Sequence, residues 1–482
     1  MNKLLKKLFS AYLTNYPLTI AYMWQASEYR YYGFLKWWAR VEDFRTVSVR
    51  GKLVHTKIGN LVYLLSVLTS FAYWVLNMLI IWYLRHHLVV ISVYAIFVVL
   101  AYSLYVAIFT AIPIYFMYGL WFLPKEDRAI AKSKAIFAGH RGTIIAVAGS
   151  YGKTTMKELL LAVLSTENEV VATEGNRNTV LSISKFASKL TGKEDYVIVE
   201  FGEARKDDIA RLTNMVQPDF AVITGLAPNH LDGYETIDEI ANDLMVLVAH
   251  TGKENTFINI DSPDLSARLS EFGKGYSQKG CLEWSVEGVK VAIDRTEFKL
   301  KGYDEELKVS TKLIGRHNIG VVSFVVAFAR EADCGAKSIK KALASQEPHE
   351  HRMHPKKLHG AWLIDDTYNG NIEGMKAGLA LLKELKTKGQ KRYATPGLVD
   401  QGAETVRVHV ELGKAIAQAK PDYVYLMNNS VTEIIKNTLQ SEKFKGKVQI
   451  VDEPLSFYQN IESVLAKGDI ILCQNDWPDY YA

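Results

Sequence analysis

Two stretches without a charged side chain constrain this 482-residue chain more than anything else in it. They are the 27 residues Ile58–Leu84 and the 37 residues Leu88–Pro124, parted only by Arg85-His86-His87. Roughly 20 apolar residues suffice to cross a bilayer as a helix. Ile58–Leu84 is therefore expected to be one transmembrane helix, and the second run to begin another. Because 37 residues exceed one crossing and Pro113 lies inside, Ala111–Phe122 is expected to be kinked or interfacial. A buried soluble hairpin is the competing reading, disfavoured because uncharged runs of this length are rarely tolerated in a soluble core.

Charge follows the same division. Residues 1–125 hold 12 Lys and Arg against 3 acids (Glu28, Glu42, Asp43), a balance of +9, while the remainder carries −4. This argues against a nucleic-acid reader with a basic body and for one basic, aromatic end that meets an anionic membrane. Both flanks of the hairpin are basic: Arg45, Arg50, Lys52 and Lys57 before it, Lys125, Arg128, Lys132 and Lys134 after it. The positive-inside rule then predicts a multi-pass cell-membrane protein with everything after Lys125 in the cytoplasm. The cysteines Cys281, Cys334 and Cys473 are far apart, which suggests no disulfide framework and a reducing compartment.

In residues 1–57, Leu4, Leu5, Leu8, Phe9, Tyr12 and Leu13 recur at helical spacing opposite Lys3, Lys6 and Lys7, the pattern of an interfacial amphipathic helix. Tyr29, Tyr31, Tyr32, Phe34, Trp37 and Trp38, interleaved with Arg30, Lys36 and Arg40, suit a belt at headgroup level. A cleaved signal peptide fits less well, because Asn15 and Pro17 break the apolar core and no small-x-small site follows.

After the membrane segment the apolar strand Thr143–Ala148 runs into Gly149-Ser150-Tyr151-Gly152-Lys153-Thr154-Thr155 and then a helix over Met156–Ser165. Strand, glycine turn, Lys-Thr and helix make a phosphate cradle. Backbone N–H groups close on oxygens, Lys153 neutralises a terminal phosphate, and the Thr154 hydroxyl can hold Mg²⁺. Val147 stands where the general phosphate loop has its first glycine. A chance Gly/Lys/Thr turn is the bland alternative, and the flanking strand and helix count against it.

Ala148–Glu158 resembles the ATP-binding loop of the Mur ligase family, in particular the branch that adds D-alanyl-D-alanine to a muramoyl tripeptide in peptidoglycan synthesis. Further segments follow in the family's order. Gly175-Asn176-Arg177-Asn178-Thr179 is similar to its substrate segment, Val199-Glu200-Phe201-Gly202 to its strand-end glutamate, and Thr224–Asp232 to the stretch carrying its metal-binding histidine, here His230. Asn259-Ile-Asp261-Ser-Pro263 and Gly315-Arg-His317-Asn318 resemble its adenine-side motifs. Arg352 and Asp365-Asp366-Thr-Tyr368-Asn369-Gly-Asn371 resemble its nucleotide-closing elements. The likeness covers about residues 140–415 and fades towards 472.

The apolar runs and the resemblance together imply an α/β chain: a transmembrane hairpin from the runs, and from the resemblance a phosphate-loop ATPase domain with a mostly parallel sheet and a Rossmann-like C-terminal α/β domain. The expected divisions are 1–57 (interfacial), 58–125 (hairpin plus interfacial stretch), 140–344 (central) and 345–482 (C-terminal). It implies a ligase using ATP and Mg²⁺ to activate a carboxylate as an acyl phosphate for attack by an amino-acid or dipeptide amine. In that scheme Lys153 stabilises the transferred phosphoryl group, while Glu200 and His230 hold a second Mg²⁺. Asn176, Asn178, Thr179, Tyr368 and Asn369 contact substrate. Gly149–Thr155, Asn259, His317, Asn318, Arg352 and Asp366 contact ATP. Taken without the resemblance, a strand-end Glu is ordinarily solvated and a loop His merely polar.

Two departures stand out. The family's carbamylated lysine, fourteen residues after its histidine, falls on Leu244, which cannot carry a carbamate. Asp243 could supply a carboxylate instead, the second metal could be held loosely or be absent, or the domain could bind nucleotide without catalysis. In addition, 125 residues of predicted anchor stand where relatives begin with a domain that grips the UDP end of the substrate. The acceptor could then be lipid-linked, or still a soluble nucleotide sugar. A poly-γ-glutamate-synthase-like ligase and a nucleotide-binding scaffold are the alternatives. A transporter fits worst, because the crossings carry no intramembrane charge.

The C-terminal part alternates predicted strands (361–364, 392–395, 422–427, 448–451, 469–473) with helices (374–386, 406–419), the pattern of a mostly parallel sheet. Ser345–Lys356 is the expected hinge. Its histidines His349, His351 and His354, with His359, match no zinc spacing and read as solvated. The Lys-Gly-Ser element expected near the end of relatives is missing, which leaves amine specificity open.

Overall fold

A computed structural model describes residues 3–27, 29–45, 47, 53–203, 206–227, 234, 236–368, 370–398, 401 and 404–475. The described residues divide into two compact units, one ending at Arg128 and one beginning at Ala129.

The first unit is helical. Helices α1 (Lys3–Ser10), α2 (Tyr16–Ala26) and α3 (Tyr31–Arg40) precede α4 (Lys57–Tyr83) and α5 (Leu88–Met117). By length and composition two helices are apolar enough to cross a membrane: α4, and the run Leu88–Ala138 that contains α5. No break occurs at Pro113. The helix runs through it, continues as a π-helical turn at Tyr118–Phe122 in which the Leu123 N–H reaches the Tyr118 carbonyl, and joins α6 (Leu123–Ala138). A wider turn is one way a helix accommodates a disturbed hydrogen-bond ladder, so the expected interfacial stretch is part of one helix.

Within residues 1–57, Leu4, Leu5, Phe9, Leu13, Tyr31 and Tyr32 are exposed, whereas other apolar residues pack inward. Tyr16, Ile20, Met23 and Trp24 of α2, with Phe34 and Trp37 of the expected aromatic belt, are buried in one cluster with Val62, Tyr73, Val106 and Ile114 of the long helices. The Tyr12 hydroxyl donates to the Val99 carbonyl (2.7 Å) and Tyr16 to Ser103 (2.8 Å), while Trp38 Nε1 donates to the Tyr16 hydroxyl (2.9 Å). The aromatic hydroxyls thus satisfy themselves on helix carbonyls, a requirement wherever water is excluded.

The second unit contains two sheets. The larger is ordered β10-β9-β8-β7-β6-β5-β4-β1-β3-β2. Its parallel half comprises β1 (Thr143–Ala148), β2 (Val170–Ala172), β3 (Tyr196–Glu200), β4 (Phe220–Ile223), β5 (Thr256–Asn259) and β6 (Lys274–Ser277). β1 is apolar along its whole length because helices cover both faces. Among them are α7 (Lys153–Leu164), α8 (Val180–Ala187), α9 (Asp208–Val216), α10 (Ile237–Thr251) and α11 (His317–Glu331). The expected mostly parallel sheet needs correction, since β7 (Gly280–Cys281), β8 (Trp284–Val291), β9 (Thr296–Gly302) and β10 (Glu305–Thr311) extend it as an antiparallel meander.

The smaller sheet is ordered β11-β12-β16-β13-β14-β15 and is parallel except for β11. Its strands are β11 (His354–Leu358), β12 (Ala361–Asp366), β13 (Lys391–Thr395), β14 (Tyr423–Met427), β15 (Lys447–Val451) and β16 (Ile470–Gln474), with helices α12 (Ile372–Glu384), α13 (Thr405–Ala419) and α14 (Thr432–Ser441). The end of the expected hinge, from His354, is the edge strand β11.

A buried ion pair pins the base of this sheet. Asp469 accepts from Arg392 Nε (2.8 Å) and from the amides of Gln390 (2.8 Å) and Ala466 (3.0 Å), and Arg392 also donates to the Tyr425 hydroxyl. Asp469→Ala leaves a buried guanidinium without its counter-charge and is expected to destabilise the fold by about 3–5 kcal/mol. Urea unfolding of the detergent-solubilised chain, followed by fluorescence, measures it, and a loss below about 1 kcal/mol contradicts the assignment.

Candidate functional site

Strand register builds the site. Val147 of β1 pairs with Glu200 of β3, and Ala148 with Ile223 of β4, so the carboxyl ends of three adjacent parallel strands stop at one level. Loops that leave such an edge form the usual ligand crevice of open α/β sheets.

From β1 the chain turns through Gly149 (φ +118°) and Gly152 (φ +78°), both in backbone conformations that disfavour side chains. A Cβ at Gly149 would also lie 2.8 Å from the Gly225 carbonyl oxygen. The loop is laced to β4. Ser150 N–H donates to the Gly225 carbonyl (2.8 Å), and the Thr224 hydroxyl donates to the carbonyls of Ala148 (3.1 Å) and Tyr151. The Tyr151 ring covers Gly225, where a Cβ would meet the ring at 2.2 Å. Burial pushes the Tyr151 hydroxyl up to about 12, so it stays neutral. Thr154 and Thr155 open α7, with Thr154 buried.

Lys153 and Glu200 are each engaged by residues that motif reading passed over. Lys153 Nζ donates to the Gly149 carbonyl (2.5 Å) and lies 3.6 Å from Glu203 Oε1, while Glu203 Oε2 accepts from Gly149 N–H (3.0 Å). Burial raises the Glu203 carboxyl above the usual carboxylate range, against the opposing pull of Lys153 and the Gly149 amide. Glu200 Oε2 lies 3.3 Å from Lys157 Nζ, and Glu200 Oε1 accepts from Asn178 Nδ2 (3.1 Å). Lys157 was legible as the i+4 neighbour of Lys153 on an otherwise apolar helix face. Glu203 had no signal beyond its place three residues after Glu200.

The expected substrate segment curls over this edge. The Asn178 carbonyl accepts from Gly202 N–H (3.0 Å), and a Cβ on Gly202 would approach Asn178 Oδ1 to 2.8 Å. Thr179 is occupied as the cap of α8, its N–H donating to Ser182 Oγ (2.9 Å). Asn176 Nδ2 donates to the Tyr368 hydroxyl (2.5 Å), joining residues 192 positions apart. Arg352 stacks over the Tyr368 ring at 4.8 Å. Asn369 and His230 lie outside the described residues.

On the adenine side, Asn259 ends β5 and ties strand ends together, donating to the Thr224 carbonyl and accepting from Asp261 N–H, both at 3.0 Å. His317 opens α11 with Nε2 3.1 Å from Asn318 Nδ2, and Asn318 donates to the Ile314 carbonyl (2.8 Å). Burial lowers the His317 imidazole to about 4, so it is neutral.

Asp243 is engaged within the fold. Its Oδ2 accepts from the Tyr234 hydroxyl (2.7 Å) and from Ile209 N–H (3.3 Å) at the start of α9, and Leu244 is fully buried in the core. The carboxylate is spent on capping a helix. Thr154, which opens a helix, and the buried Glu200 carboxylate, whose Oε2 pairs with Lys157 without a hydrogen bond, are the residues that would hold Mg²⁺. The histidine-rich stretch forms no metal cluster among the described residues. His351 pairs with Asp365 (2.9 Å) and His359 with Glu462 (2.8 Å).

Asp366 is half-buried, accepting from Gln474 Nε2 (2.7 Å) and Met353 N–H (3.1 Å), and desolvation raises it to about 7. Because the folded state holds this proton more tightly than the unfolded one, stability falls as pH rises from about 4 to 7 and levels off above. Asp366→Asn removes that dependence. Between pH 8 and pH 5 the unfolding midpoint of the parent chain should climb relative to the variant, and a constant difference refutes the assignment.

The arrangement has counterparts. Residues 147–328 match the Mur ligase middle domain model. The chain is 26% identical over 340 residues to the UDP-N-acetylmuramoyl-tripeptide–D-alanyl-D-alanine ligase of Escherichia coli (strain K12), covering 67% of this chain and 74% of that protein. It is 25% identical over 331 residues to the enzyme of the same name from Bacillus subtilis (strain 168), covering 68% and 72%. The crystal structure of MurF ligase from Thermotoga maritima in complex with ADP superposes with a TM-score of 0.63 at 22% identity, over 73% of this chain and 80% of that one, a likeness of fold. Residues 147–328 thus carry a Mur ligase middle domain, and the chain around them is similar to these ligases over about two thirds of its length.

Proposed function

We propose that this chain is a membrane-anchored, ATP-dependent ligase of peptidoglycan-precursor synthesis that joins an amine to a substrate carboxylate. One observation carries the reading: the phosphate loop, Glu200 and the Gly175–Asn178 segment share a single strand-end edge, and Tyr368 of the smaller sheet closes on Asn176 there.

In the reaction a carboxylate oxygen attacks the γ-phosphorus of ATP and ADP leaves. The amine nitrogen then attacks the acyl carbon and phosphate leaves. Lys153 lies beside the glycine turn, where it would exchange Glu203 for phosphate oxygens. Asn176 and Asn178 would orient the acceptor, and Arg352, above Tyr368, would meet nucleotide phosphates on closure. Mg²⁺, held by Thr154 and Glu200 with His230, would screen phosphate charge. The relatives' names supply the candidate substrates, UDP-N-acetylmuramoyl-tripeptide and D-alanyl-D-alanine. Their acceptor could be soluble here or carried on lipid.

The two apolar helices with their basic flanks support the anchor, with the second unit in the cytoplasm. The solubilised chain, given ATP, Mg²⁺ and these substrates, should form an amide, and hydroxylamine should divert the activated acyl group to a hydroxamate. Lys153→Ala should lower turnover about 10²–10³-fold, the usual cost of one electrostatic stabiliser. Nucleotide binding without hydroxamate or amide from either acceptor form would favour a nucleotide-binding scaffold.

A further inference from the structure

Lys157 has no place in the reading above, and its position is a costly one. It sits one turn behind Lys153 in α7 and is fully buried, among Met156, Leu159 and Leu160. A cation near a helix N-terminus opposes the helix dipole, and burial adds desolvation. An aliphatic side chain would pack there at no such cost. What offsets it is a hydrogen bond to the Gly175 carbonyl and two carboxylates at ion-pair distance, Glu200 Oε2 and Glu158 Oε1, both at 3.3 Å. One buried charge therefore touches the strand-end glutamate and the first residue of the substrate segment.

We infer that Lys157 is a positioning residue that fixes the Glu200 carboxylate and the Gly175–Asn178 segment relative to each other. The inference rests on the ligase reading for its kinetic consequence. Glu200 is held on one oxygen by Lys157 and on the other by Asn178, itself part of that segment, so glutamate, lysine and loop form a closed ring of contacts. With Leu244 buried in the core and Asp243 Oδ2 engaged by Tyr234, Lys157 is the fixed partner that sets the orientation of Glu200.

Lys157→Met, Lys157→Arg, Glu200→Gln and the Lys157→Met/Glu200→Gln pair test this in the full chain. Lys157→Met should lower turnover about 10–100-fold, as loss of a residue that orients a ligand does, with Lys157→Arg recovering part of it. ADP affinity should stay within about twofold, and the double variant should be no slower than Glu200→Gln alone, because both changes break one interaction. Unchanged turnover, multiplying losses, or an equal loss of ADP affinity overturns the inference. If the parent chain forms no product, the ligase reading fails, and amide hydrogen exchange still decides the role of Lys157. Lys157→Met, or the charge-free double variant should the single one fail to fold, must speed exchange at residues 175–178 and at Gly202 while ADP-Mg²⁺ still protects 149–153. Unaltered exchange at 175–178 refutes it.

Discussion

The candidate site depends on the register of β1 with β3 and β4. Side chains alternate faces along a strand, so a slip of one residue would send Glu200 to the opposite face of the sheet. Val147 opposite Glu200 and Ala148 opposite Ile223 hold the glycine turn, the glutamate and Thr224 at one level. The buried apolar run Ile145–Ala148 enforces that register from both faces. The loop then needs two glycines with positive φ and a bare Gly225 beneath the Tyr151 ring. Each is a backbone requirement that a single added carbon would break.

Two lysine–glutamate pairs extend this geometry into electrostatics. Lys153 with Glu203 and Lys157 with Glu200 both join α7 to the end of β3, and three of the four side chains are almost wholly buried. Their environments differ in a way that separates their roles. Lys153 is the more accessible and bonds a loop carbonyl, so an incoming phosphate can draw it from Glu203. Lys157 is sealed, with one carbonyl and two carboxylates around it. A mobile cation suits charge that moves during reaction, and a sealed one suits a carboxylate that must stay still.

Much of this was legible in the residues, and the exceptions have physical causes. The strands at Thr143–Ala148 and Phe220–Ile223 begin and end where apolar runs meet turn residues, since a strand buried on both faces has no other pattern to show. The meander Lys274–Thr311 was missed because its strands are half exposed and carry Lys and Glu on the outer face, as in Glu305–Thr311. Pro113 suggested a kinked or interfacial stretch, yet the helix is continuous through it and widens only at Tyr118–Phe122. Among site residues, Lys153 and Glu200 stand in motifs whose spacing is dictated by phosphate geometry. Lys157 and Glu203 meet their partners only through tertiary packing. Asp243 shows the converse, an acid at a suggestive position whose oxygen is consumed by Tyr234 and a helix start.

The closed arrangement of the two sheets is held lightly, and that bears on how substrates enter. Arg316 makes a bidentate pair with Glu384 across the junction at 2.8–3.1 Å, with both side chains well exposed. Such pairs contribute about 0.2–1 kcal/mol. The Asn176–Tyr368 hydrogen bond adds roughly another 0.5–1.5 kcal/mol. Apolar contacts at Ile314, which joins the core of the smaller sheet, act as the fixed point. Breaking the two polar contacts costs at most a few RT, and the apolar packing of Ile314, Val291 and Ile293 on the smaller sheet's core adds to that. Nucleotide phosphates that engage Lys153 on one edge and Arg352 on the other would contribute more than the contacts they replace. Closure can therefore be driven by the substrate that needs it.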